Sequence, residues 1–181
     1  MGAAAARPHA DPASLSAGAL ARRARLQAGR LAGAESWKPA YLSYPESWRE
    51  LSDPEGDQNV VLLAREVGRP AVEAAQVTLT RVNEEAPFGS LTTNIKVFNR
   101  NQLEDASFVE ERDVDVDGAD EARLLVTDYE LPADGRRIPY RARQIIVLKE
   151  PDLQLNVGVT APRDAYDRFD ADAILDSITI D

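Results

Sequence analysis

Residues 121–160 read EARLLVTDYELPADGRRIPYRARQIIVLKEPDLQLNVGVT. Three strand-sized segments and two turns are written in this stretch. Ala122 to Leu131 carries Leu124, Val126, Tyr129 and Leu131. Pro132-Ala133-Asp134-Gly135 follows, and Asp-Gly is a strong hairpin signal because both residues tolerate positive φ. Tyr140 to Lys149 ends in the apolar run Ile145 to Leu148, and Glu150-Pro151-Asp152 makes the next turn. Leu153, Leu155, Val157 and Val159 then alternate with polar residues, which is the period of a half-buried strand. Strands joined in series by tight turns make an antiparallel meander.

The same period extends upstream. Phe108 to Val116 alternates through Val114 and Val116, with Asp113, Asp115 and Asp117 between them and Asp117-Gly118 as the turn. Before it, Leu91, Ile95 and Phe98 stand at i, i+4 and i+7, a helical stripe. Ser90 is the expected N-cap, and the spacing outweighs the β-branched Thr92, Thr93, Ile95 and Val97. Further back, Ala75 to Val82, Asn59 to Ala64 and Ala40 to Tyr44 read as strands. Downstream, Pro162 introduces a last helix over Arg163 to Ile178, with Tyr166, Phe169, Ala173, Ile174 and Leu175 on its apolar face. The expected fold class is therefore α+β: an antiparallel β-sheet of about six to seven strands covered by two helices.

Composition bounds the chemistry. The 181 residues hold 21 Lys and Arg against 31 Asp and Glu, a net charge of −10, with no cysteine and His9 as the sole histidine. Disulfides, thiolate metal sites and a cysteine nucleophile are excluded. A Ser-His-Asp triad would have to use His9, in a polar N-terminal stretch. Phosphate contacts need a basic surface, so no nucleic acid is expected as partner. No run is long enough to span a bilayer as a helix. The reading is a cytoplasmic protein, or an extracytoplasmic one if an anchor or signal has been removed.

The charge is unevenly spread. Residues 1–36 hold Arg7, Arg22, Arg23, Arg25 and Arg30 against Asp11 and Glu35, which makes them +3 and leaves −13 on residues 37–181. The first segment is expected to be a basic, Ala/Arg-rich arm, mobile or a marginal helix; the second is the folded domain. Leu15, Leu20, Leu26 and Leu31 are five or six apart, which makes no helical stripe. Arg22, Arg23, Arg25 and Arg30, with Trp37 at the junction, are candidate partner-binding residues. Arg136, Arg137, Arg141 and Arg143 form the main basic patch of the body and join that set. Arg141 and Arg143 share a strand face, and Asp113 and Asp115 are their expected ion-pair partners. Trp48 reads as a structural anchor.

No catalytic residues, cofactor or metal are assigned. Asp113, Asp115 and Asp117 are spaced by two, which a solvated strand face explains without a metal. Asp164, Asp167, Asp170, Asp172 and Asp176 likewise read as solvent-facing acids around the last helix. The alternative is a small-ligand or divalent-metal binding domain, or an enzyme using acidic residues.

Several short motifs occur in a set order. They are Tyr44-Pro45-Glu46-Ser47-Trp48, continued by Arg49 to Asp53, then Gly118 after the acidic strand, and Gln144 with Ile145 to Leu148. Thr160-Ala161-Pro162 and Ile174-Leu175-Asp176-Ser177-Ile178 complete the series. Over residues 40–180 this order resembles the PsbP-like superfamily, whose branches include the PsbP, LpqN and DcrB types and secretion-effector chaperones. The resemblance implies an α/β/α sandwich. It implies a non-enzymatic protein-binding accessory, adaptor or chaperone domain in a larger bacterial assembly. The partner would be another protein, and a homodimer is left open. The lack of a lipobox cysteine departs from the lipoprotein branch, and the lack of histidine in the body departs from metal-binding members.

Overall fold

A computed structural model of the chain describes residues 20–26, 40–50, 60–67, 71–81, 87–133, 135–149 and 153–180. The strands are β1 (Leu20–Leu26), β2 (Ala40–Pro45), β3 (Arg49–Glu50), β4 (Val60–Val67) and β5 (Ala71–Arg81), followed by helix α1 (Phe88–Gln102). Then come β6 (Glu104–Asp113), β7 (Glu121–Ala133), β8 (Arg136–Lys149), β9 (Leu153–Pro162), a 3₁₀ turn over Tyr166–Arg168, α2 (Ala171–Asp176) and β10 (Thr179–Ile180). Seven strands form one antiparallel sheet in the order β3-β4-β5-β9-β8-β7-β6, and β1-β2-β10 form a smaller one.

The meander is the centre of the large sheet. Leu124 lies opposite Ile145, and Ile145 opposite Val157. Because side chains alternate along a strand, Leu124, Val126, Ile145, Val147, Val157 and Val159 all enter one core. Ala40, Leu42 and Tyr44 of β2 close that core from the small sheet, with Trp48, Phe169, Ile174 and Leu175 between the layers. On the opposite face, Phe88 and Leu91 of α1 pack on Ile146. One face of the large sheet is thus covered by α1 and the other by the small sheet with α2, in an α+β sandwich. Trp48 is fully buried, in agreement with its reading as an anchor.

The structure corrects five local expectations. Leu20–Leu26 is a strand, neither a helix nor a detached arm: it pairs antiparallel with β2 from Leu20 opposite Pro45 to Leu26 opposite Ala40. With no apolar stripe to bury, this segment gains more from the ladder that β2 offers. The rest of residues 1–36 lies outside the described residues.

Helix α1 is capped by Pro87, not Ser90, and no side chain caps it. Thr92 and Thr93 both donate to the Gly89 carbonyl instead, at 3.0 and 2.8 Å. Phe98, placed on the buried stripe by its spacing, is 63% exposed, while Asn99 is buried. Phe98 lines an open groove beside β9.

The last helix is broken. Asp170 adopts φ +48°, in the left-handed region that Asp tolerates better than most residues. The break leaves a 3₁₀ turn and the six-residue α2, with Tyr166 and Phe169 buried on one side of it and Ile174 and Leu175 on the other.

The acidic strand ends earlier than expected, at Asp113. Val114 and Val116 then pack against the main core from irregular backbone.

Candidate functional site

The arginines singled out in the sequence meet different fates. Arg22 is exposed on β1, and β1 places Arg23 opposite Ser43 and Arg25 opposite Tyr41. Arg30 and Trp37 lie outside the described residues. Arg136 and Arg137 begin β8 and are exposed. Arg137 reaches Asp105 at 2.8 Å and Glu104 and Glu130 at 3.5 Å.

Arg141 does not pair with Asp113 or Asp115. It grips Asp128 through two bonds, at 2.7 and 2.9 Å. Arg143 bonds Asp172 on α2 and lies 3.9 Å from Glu110. Register explains the difference. Asp128 is the residue directly opposite Arg141, whereas Asp113 lies two strands away from β8. Asp113 faces Arg123 on β7 and bonds it at 2.8 Å. Of the four arginines Arg136, Arg137, Arg141 and Arg143, the last three are thus engaged within the fold.

Those pairs shape the local electrostatics. Asp128 titrates below the usual carboxylate range, because Arg141 bonds its charged form and Arg163, 3.6 Å away, adds to the attraction. Glu111 is lowered in the same direction by its bond from Lys96 at 2.7 Å. Burial pushes the Tyr129 and Tyr166 hydroxyls upward, so both stay neutral in the physiological range.

The two acidic runs converge. Asp113, Asp115 and Asp117 line one side of a cleft of about 460 Å³, and Asp172 and Asp176 of α2 line the other. Arg112 and Arg143 also line it. The aspartates are exposed, and among the described residues no three such groups converge as metal ligands.

A second concavity, about 620 Å³, lies between α1 and β9. Sequence reasoning passed over it because it followed only the apolar alternation of β9. The intervening residues Gln154, Asn156, Gly158 and Thr160 face the groove with Gln144 of β8. Asn94, Phe98 and Asn99 come from α1. Asn99 donates to the Gln144 side-chain oxygen at 2.8 Å, and the Asn156 side-chain oxygen is buried with no partner. A run of uncharged polar residues at period two was the available signal.

No family model matches the chain, and no curated protein matches it. Among solved structures, the fold is similar to LpqN of Mycobacterium tuberculosis, described as involved in cell envelope biogenesis. That match has a TM-score of 0.61 and 13% identity, over 88% of this chain and 90% of LpqN. It is also similar to PA94 of Pseudomonas aeruginosa, a protein of unknown function described as a candidate regulator. There the TM-score is 0.50 and the identity 18%, over 77% of this chain and 85% of PA94. At these identities the likeness establishes a shared fold. Among the described residues no helix is long and apolar enough to cross a membrane.

Proposed function

We propose that the chain is a non-enzymatic domain of the PsbP-like superfamily that binds another protein, as an accessory, adaptor or chaperone in a bacterial assembly. A cytoplasmic location accompanies this reading. The fold shared with LpqN, itself involved in cell envelope biogenesis, supports an accessory role. The observation that carries the reading is β1. Among the described residues it is one of the two outer strands of the small sheet and reads LARRARL, three arginines in seven residues of a chain with net charge −10. An outer strand offers unpaired backbone groups to a further strand, and its side chains select the partner. The partner chemistry is an acidic extended segment.

The test is copurification from the native host with the tagged full chain and with Arg22→Glu/Arg23→Glu/Arg25→Glu. A stoichiometric protein retained by the parent chain and lost by the variant supports the reading. A stoichiometric protein retained equally by both overturns the assignment to β1. No stoichiometric protein on either overturns the adaptor role.

A further inference from the structure

The groove between α1 and β9 stands apart from the rest of the surface in its lining. In a chain that is 29% charged, none of the described residues lining it carries a charge. In the neighbouring strand β5, Gln76 lies opposite Gly158, Thr78 opposite Asn156 and Thr80 opposite Gln154.

Leu91 and Ile95 add apolar surface to the groove, and apart from the Thr160 hydroxyl its polar side chains are of one kind. Asn94, Asn99, Gln144, Gln154 and Asn156 bring five primary amides to one concavity. Each amide offers a two-proton donor and an acceptor oxygen. Among the described residues, the Asn99–Gln144 bond occupies one donor and one acceptor. The Asn156 oxygen is shielded from solvent without a partner, and buried acceptors left unpaired are uncommon. Gly158 keeps the floor low, since a Cβ there would stand 3.2 Å from Cγ of Gln144. Phe98 stands at the rim with 63% of its surface exposed. The volume, about 620 Å³, falls in the range of small-ligand sites.

We propose that this groove binds a neutral saccharide, a mono- or disaccharide. The amides exchange hydrogen bonds with its hydroxyls, and Phe98 stacks on its C–H face. Hydroxyls both donate and accept, as amides do, so each sugar hydroxyl can be matched by either end of a neighbouring side chain. An anionic ligand finds no cation among the described lining residues, and a wholly apolar one would leave the groove-facing amides unmatched. The site lies on the opposite side of the large sheet from the small sheet and β1, so it is independent of the protein-binding reading.

The experiment is an NMR titration of the full-length, isotope-labelled chain with maltose, cellobiose and lactose at concentrations on the order of 10 mM, where weak binding is read. Glucuronate serves as the charged control. The expected result is saturable shifts at the side-chain amides of Asn99, Gln144 and Asn156 with at least one disaccharide and not with glucuronate. Phe98→Ala and Asn94→Ala, both at exposed helix positions, should each weaken binding about fivefold, the scale of one lost stacking or hydrogen-bonding contact. Unshifted spectra with all three sugars overturn the proposal. Shifts that both variants leave unchanged overturn it as well, as would an uncharged Ser/Gly-rich peptide that binds with the same shifts where the sugars do not.

Discussion

The hydroxyl of Ser177 accepts the backbone N–H of Ser43 at 2.8 Å, across 134 residues of sequence. Strand β10 pairs Thr179 with Tyr41 and Ile180 with Ala40, so Ser177 stands where the ladder would next meet Ser43. The chain there is leaving α2, and the side chain substitutes for the missing backbone partner. Its oxygen also lies 2.7 Å from the Ile174 carbonyl, which it meets as donor at the helix end. Ser177→Ala should therefore destabilise the fold by about 1–2 kcal/mol, the cost of leaving a part-buried amide unpaired. Urea unfolding of parent and variant measures this, and an unchanged midpoint would falsify it.

Gly118 and Gly135 both have positive φ, +81° and +73°, but their surroundings differ. A Cβ on Gly118 would lie 1.8 Å from the Ile180 carbonyl oxygen, while one on Gly135 meets nothing within 4 Å. Gly135→Ala should cost about 1 kcal/mol, the conformational penalty alone. Gly118→Ala should cost at least about 3 kcal/mol, because the backbone contact between this turn and β10 must open. Thermal melts of the two variants rank them, and equal losses would contradict the close approach.

The Arg141–Asp128 pair makes stability depend on pH. The folded Asp128 titrates below its unfolded value, which is about 3.9. Its stabilising contribution is therefore complete above that value and is lost as pH falls through the folded one. Asp128→Asn should be less stable than the parent at pH 7, and the difference should shrink steadily below about pH 4. Denaturant midpoints across that range supply the check.

Removing residues 1–26 takes β1 from the small sheet. The core of the large sheet should persist, so the far-ultraviolet spectrum should keep its β signature. The melting temperature should fall by several degrees, since β2 loses one of its two flanking strands. An unchanged melt would show that β1 adds nothing to the domain.

The meander was legible because β7, β8 and β9 are separated by turn residues and alternate where only one face is apolar. The helix over Phe88–Gln102 was legible from Leu91 and Ile95, but its cap was not, since Pro87 stabilises the first turn by its fixed φ rather than by a side-chain bond. Phe98 was misplaced because spacing along a helix says nothing about whether the opposing sheet is filled there. Pairing partners such as Asp128 for Arg141 depend on strand register: Asp128 lies on the strand next to β8, and Asp113 one strand further away. The break at Asp170 has no strong local signal, as Asp occurs in helices as well as beside them. The amide groove combines two strands and a helix, so its residues become a site only after the fold has brought them together.

Strand β6 ends the large sheet, yet it is a poor template for a second copy. It carries Glu104, Asp105, Glu110, Glu111 and Asp113, and its pairing with β7 is interrupted twice by register shifts. Two such edges brought together would face carboxylate with carboxylate along a kinked backbone. Growth of the large sheet at this edge is thereby disfavoured, by like charge and by an irregular backbone together.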